Sequence, residues 1–250
     1  MRVTIADGAV LSASAVAAGI VNAIAGGGTL ITFPALLATG VPAVSANATN
    51  TVAIFPGQLA SSFAYKSHIL DERRRALALA VPSILGGIAG AWLLLALPEK
   101  SFEKAIPWLI IFACVVLAFQ GQLKVLVGRA RHANHPAALW IAQLLISIYG
   151  GYFGAGIGIL MLAAMGILIP SSIQHANALK VLFSLLINAV AAVYFVAMGA
   201  VQAPEAAIMA VASIAGGFAG ARLAQRLPPA GMRGFAIAVG LFAAGKMFLR

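Results

Sequence analysis

Two polar doorsteps, each at the entrance to an apolar run, hold the residues of this chain with the clearest chemical potential. In "SANATNTVAIFPGQ" they are Asn47, Asn50 and Thr51; in "HANALKVLFSLL" they are Asn177 and Lys180. Amides, a hydroxyl and an ammonium all bring donors, and Lys180 adds a positive charge. The chemistry they offer is recognition of a small anion. Two glycine clusters accompany them: "NAIAGGGTL", with Gly27, Gly28 and Thr29, and "YFGAGIGIL", with Gly156 and Gly158. Glycines at such breaks permit tight turns and close backbone approach. The helix that restarts after a break presents free N–H groups and a partial positive charge. Plainer readings stand beside these: Asn47 and Asn177 as helix N-caps, Lys180 as a side chain snorkelling to headgroups. Capping and binding are compatible. His175, two residues before Asn177, is a candidate for proton coupling.

Other chemistries find less support. "GAGIG" lacks the strand–turn–helix context of a dinucleotide site. His132 and His135 lie three apart in a basic connector without further metal ligands nearby. No metal or cofactor is expected, and no Ser, His and acid arrangement argues for an enzyme. The six acids, Asp7, Asp71, Glu72, Glu99, Glu103 and Glu205, fall at span ends or in loops, which argues against a cation as substrate.

The elements that must position these residues are membrane helices. The chain has 250 residues, 62% hydrophobic and 9% charged, with a mean hydropathy of +1.01. A soluble domain carries roughly a quarter charged residues, so the expected class is an all-α polytopic membrane protein. The net charge of +10 fits cytoplasmic loops beside anionic lipid headgroups better than nucleic acid. Cys114 stands alone, so no intramolecular disulfide forms. The first twenty residues resemble a signal peptide, but the repeat described next gives them a structural counterpart, and they are expected to stay.

"VPSILGGIAGAWLLLALP" (81–98) and "VASIAGGFAGARLAQRLP" (211–228) match at a constant offset of 130 residues, Val81 to Val211. The same offset carries Ala46-Asn47-Ala48 onto Ala176-Asn177-Ala178, and Gly26 and Gly28 onto Gly156 and Gly158. Three motifs in one register indicate a duplication, the usual construction of secondary transporters. Repeat one spans 1–120, a basic connector 121–136, and repeat two 137–250. Each repeat reads as a glycine-broken hairpin of short helices (8–40; 137–170) followed by three transmembrane helices (46–66, 75–97, 103–120; 176–199, 204–226, 232–249). Basic residues concentrate at 66–75, 121–136 and 222–233, which the positive-inside rule makes cytoplasmic. Loops 98–104 and 197–204 then lie outside, so corresponding loops face opposite sides, the repeats are inverted and both termini lie outside. Eight plain helices with both termini inside is the competing arrangement; it leaves the 222–233 arginines outside.

"GIVNAIAGGGTLITFPALLATGVPAVSANATNT" and "GGYFGAGIGILMLAAMGILIPSSIQHANALKV" resemble the two signature halves of the sulfite exporter TauE/SafE family of membrane permeases, and the resemblance covers nearly the whole chain. It implies a transporter of sulfite, sulfonates or related organosulfur or organic anions in a bacterial-type inner membrane. The expected function is a secondary transporter working by alternating access, in the export direction, with Asn47, Asn50, Thr51, Asn177 and Lys180 facing a central cavity framed by the glycine breaks. The alternatives are a passive anion channel of the same architecture, a membrane assembly protein without transport, and an intramembrane enzyme.

Overall fold

The computed structural model describes residues 4–24, 27–64, 66–122, 135–168, 173–223 and 229–249, and among these all regular structure is helical. Repeat one contributes α1 (Ile5–Ile24), α2 (Thr29–Ala38), α3 (Ala43–Ala64), a short α4 (Lys66–Asp71), α5 (Arg73–Ala96) and α6 (Glu99–Ala118). Repeat two contributes α7 (Pro136–Tyr152), α8 (Ile157–Leu168), α9 (Ile173–Ala197), α10 (Ala203–Leu223) and α11 (Pro229–Phe248). Helices satisfy their backbone polar groups internally, the condition for lying in lipid. Segments Ile5–Asn22, Arg73–Ala96, Glu99–Ala118, His175–Ala197 and Ala230–Phe248 are long and apolar enough to cross a membrane. The chain is an all-α, multi-pass membrane protein.

The glycine-broken stretches are unequal hairpins rather than pairs of short helices. Their first arms have 20 residues (α1) and 17 residues (α7), their second arms 10 (α2) and 12 (α8). The glycines sit late in each apolar run, so the first helix propagates undisturbed and only the second is short. α3 begins at Ala43 rather than near 46, and α4 occupies part of the loop between the first and second full helices.

The repeats interlock. α1 packs on α10, and its counterpart α7 packs on the counterpart helix α5. The "GGIAGA" and "GGFAGA" glycines make these contacts close. A Cβ on Gly86 would stand 2.6 Å from the Ser147 Cβ on α7, and one on Gly216, at the equivalent position, would strike the Val16 carbonyl on α1. Small residues let helix backbones approach where lipid supplies no hydrophobic drive for association.

Two contacts join a residue to its own counterpart. Gln58 Oε1 on α3 accepts from Asn188 Nδ2 on α9 at 3.0 Å, a pair 130 residues apart. A Cβ on Gly240 of α11 would lie 3.4 Å from Ile110 Cγ2 on α6, the equivalent position in repeat one. Equivalent positions of the two repeats therefore meet at the α3–α9 and α6–α11 crossings. α3 and α9 run in opposite directions. Thr49, near the start of α3, bonds Gln202 just beyond the end of α9, while His175, near the start of α9, meets Asp71 beyond the end of α3.

Candidate anion site at the two glycine breaks

Both glycine breaks come to one stretch of α6. A Cβ on Gly27 would stand 2.9 Å from Leu117 Cδ2, and one on Gly156 would lie 3.7 Å from Val116 Cγ1 and 3.9 Å from the Ala113 backbone. These residues follow Ile110, which meets Gly240, by three to seven positions, about 5–10 Å along the helix. Gly27, Gly154 and Gly156 have φ of +97°, +81° and +79°. That left-handed backbone is open to glycine and strained for other residues. Gly26 lies outside the described residues.

The first turns of α3 hold repeat one's doorstep. Asn47 is the fifth residue of α3, too deep to cap it, so the capping reading gives way to a tertiary one. Its Nδ2 donates to the Tyr152 carbonyl at the end of α7, at 2.9 Å. Asn47 is 1% exposed, and its Oδ1 has no hydrogen-bond partner. Asn50, one turn on, accepts at Oδ1 from the Thr32 hydroxyl of α2 at 2.5 Å. Thr49 Oγ1 accepts from Gln202 N–H at 2.9 Å. One helical turn thus ties repeat one's break to repeat two's break and to the α9–α10 turn. Thr51 donates its hydroxyl back to Asn47 O within α3, at 3.0 Å. Thr29 is buried as the first residue of α2. Gly28 N–H donates to Asn22 Oδ1 at 2.8 Å, and a Cβ there would come 2.7 Å from the Ala18 carbonyl.

Repeat two arranges the same positions differently. Lys180, equivalent to Asn50, lays its stem on Gly158: a Cβ there would stand 3.1 Å from Lys180 Cδ and 3.5 Å from Cγ. Gly158 is the second residue of α8, so Lys180 lies against that helix's first turn. Among the described residues no side chain caps Gly158 N–H. Thr32 and Asn22 are replaced by Leu162 and Tyr152. Asn177 is half-buried, also as a fifth helical residue, in α9. Lys180 and Asn50 each precede the Gln58–Asn188 crossing by eight residues, about 12 Å along the helix.

His175 stands apart from the breaks. Its Nε2 lies 3.7 Å from Asp71 Oδ2 and its Nδ1 3.8 Å from Glu72 Oε1, with the His68 ring 5.7 Å away. Glu72 also accepts from Arg75 at 3.0 Å. No group of three or more metal-ligating side chains forms among the described residues.

Thr32, Asn22 and Gln202 were not singled out in the sequence; Thr49 stood in the polar doorstep, but its partner was not foreseen. Thr32 follows Gly28 by one helical turn, a spacing that puts it over the break. The Thr49–Gln202 bond spans the two repeats, and nothing local announces it.

The sequence profile described as sulfite exporter TauE/SafE matches residues 11–247. The chain belongs to the sulfite exporter TauE/SafE family. It is 30% identical over 167 residues to a "Probable membrane transporter protein" of Haemophilus influenzae, covering 65% of each chain. To "Probable membrane transporter protein ORF9" of a Sinorhizobium species it is 29% identical over 168 residues, 64% of this chain and 63% of the relative. To "Probable membrane transporter protein YfcA" of Escherichia coli K12 it is 28% identical over 216 residues, 85% of this chain and 77% of the relative. The match thus spans just under two thirds of the Haemophilus and Sinorhizobium proteins. No solved structure matches the chain.

Proposed function

We propose that this family member is a secondary transporter that carries a small anion, sulfite or a sulfonate, across a bacterial-type inner membrane by alternating access, in the export direction. The observation that carries the reading is Lys180 on the first turn of α8. A helix N-terminus without a side-chain cap and a lysine beside it both favour negative charge, and they reinforce one another away from bulk water. Asn47, Asn50, Thr51 and Asn177 supply the polar wall, and Gly27, Gly28, Thr29, Gly156 and Gly158 let backbone approach the anion. The opposed run of α3 and α9 about the Gln58–Asn188 pair supports inverted repeats, with 66–75, 121–136 and 222–233 cytoplasmic. In that arrangement the same site is offered to each face in turn. The names of the relatives and of the family favour transport over an assembly role.

The test is flux into proteoliposomes with sulfite and a panel of sulfonates. A carrier gives saturating flux and accelerates labelled uptake when unlabelled anion is present on the far side. Non-saturating flux without that acceleration would replace the carrier with a channel.

A further inference from the structure

Glu205 is the acid that the sequence places at a span end, yet in the fold it is 6% exposed, and its Oε2 has no hydrogen-bond partner. It is the third residue of α10, where a carboxylate ordinarily reaches back to the N–H of the residue before the helix. Here that N–H belongs to Gln202, and it is already given to Thr49 Oγ1.

Glu205 Oε2 is thus a buried acceptor without a donor, and the elements packed on α10 bring no positive charge to it. Those elements are α1 and α3. α3 has no charged residue, and α1 has only Asp7. Asp7 lies at the far end of α1, since α1 runs antiparallel to α10, with Gly19 by Ser213 and Val16 by Gly216. Glu99, Lys100, Glu103 and Lys104 open α6, whose Phe102 meets the Tyr152 ring, but all four are exposed. Repeat one shows what is missing. The positions equivalent to Gln202 and Glu205 are Glu72 and Arg75, which pair at 3.0 Å. Repeat one carries its own counter-cation; in repeat two Gln202 holds the acid's position and Glu205 the base's, so no equivalent ion pair forms there. The helix dipole favours the carboxylate, but it supplies no donor to Oε2, and a buried charge needs a partner.

We infer that Glu205 forms a binding site for a monovalent cation, a proton or a sodium ion, whose movement is coupled to that of the substrate anion. The coupling rests on the transporter reading; the ion site does not. A proton and a sodium ion offer the carboxylate the same thing, positive charge without a lone pair. In the export direction the cation enters as the anion leaves, so an inward proton or sodium gradient drives the anion out.

Two arms test this on the full chain in liposomes. The first needs no substrate: a hydrophobic carbodiimide should label Glu205, as read by mass spectrometry, and protection by sodium but not choline would identify the ion as sodium. Absence of labelling at Glu205 would overturn the site. The second arm measures sulfite and methanesulfonate uptake under an imposed proton gradient in choline medium, or a sodium gradient at equal pH, with the membrane potential clamped. One gradient should raise the wild-type rate several-fold. Glu205→Gln should lose that response while keeping anion exchange, and Glu205→Asp should keep part of it. A full gradient response in Glu205→Gln, or none in a wild type that exchanges anion, would overturn the coupling. Labelling without any anion flux would instead defeat the transporter reading and leave the ion site standing.

Discussion

The two glycine breaks share a backbone plan and differ in what completes it. In repeat one, Asn22 caps Gly28 N–H and Thr32 bonds Asn50, so neutral side chains close the break on itself. In repeat two the same positions are Tyr152, Leu162 and Lys180, and the stem of the lysine rests on Gly158. A duplicated element can divide labour this way. On the proposed reading, repeat one's break is closed by its own side chains, while repeat two's helix end and lysine contribute to the anion site. The contrast at Glu72–Arg75 and Gln202–Glu205 has the same form with the signs exchanged.

The strongest way to break this comparison is to remove the charge. Lys180→Ala should weaken anion binding by about 10- to 100-fold, since a charge-assisted contact is worth roughly 1.5–3 kcal/mol. Lys180→Arg should recover most of it, and concentration-dependent uptake of sulfite or methanesulfonate reads both. Equal binding in Lys180→Ala and wild type would return Lys180 to a snorkelling role. The glycines separate folding from function. Gly28→Ala drives a methyl into the Ala18 carbonyl and the Asn22 amide and should cost about 2–3 kcal/mol in thermal unfolding. Gly158→Ala meets only the flexible Lys180 stem. It should cost less than about 1 kcal/mol while changing anion affinity a few-fold. Similar stability losses in both would mean the breaks are equivalent after all. Thr32→Val leaves the 1%-exposed Asn50 without its donor and should destabilise by about 1–2 kcal/mol, weakening anion affinity less than Lys180→Ala does.

Much of this architecture was legible because it is written locally. Apolar runs longer than a bilayer needs, glycine pairs at a fixed offset and clustered arginines each report on a segment without reference to the rest. The offset aligned Asn50 with Lys180, but it gives no sign that Gln58 meets its own counterpart Asn188. What stayed hidden depends on contacts between repeats. Asn47 looked like a cap because its partner, the Tyr152 carbonyl, is 105 residues away. Glu205 looked like an acid at a span end because its burial is set by tertiary packing, and no property of "APEAAI" encodes that. The unequal hairpin arms were missed for a different reason. Counting about 33 residues fixed the total length of the two helices, while the break point is set by where the glycines fall within the run.

The smallest expected effect belongs to His175, and it sharpens the division between the two proton-coupling candidates. His175 faces Asp71 and Glu72 at 3.7 and 3.8 Å, with side-chain exposures of 32%, 65% and 15%. Glu72 already holds Arg75 at 3.0 Å, so little acidic potential is left for the imidazole, and solvent screens the rest. Pairs of this kind contribute about 0–1 kcal/mol. His175→Asn should therefore shift the unfolding midpoint by no more than a few degrees and leave gradient-driven uptake within about twofold of wild type between about pH 6 and 8. Buried Glu205 lacks any such alternative partner at its Oε2, so the gradient response should follow Glu205→Gln instead. If His175→Asn abolished the response and Glu205→Gln preserved it, the coupling ion would belong to the α4–α9 contact, and the asymmetry between Arg75 and Glu205 would be one of packing alone.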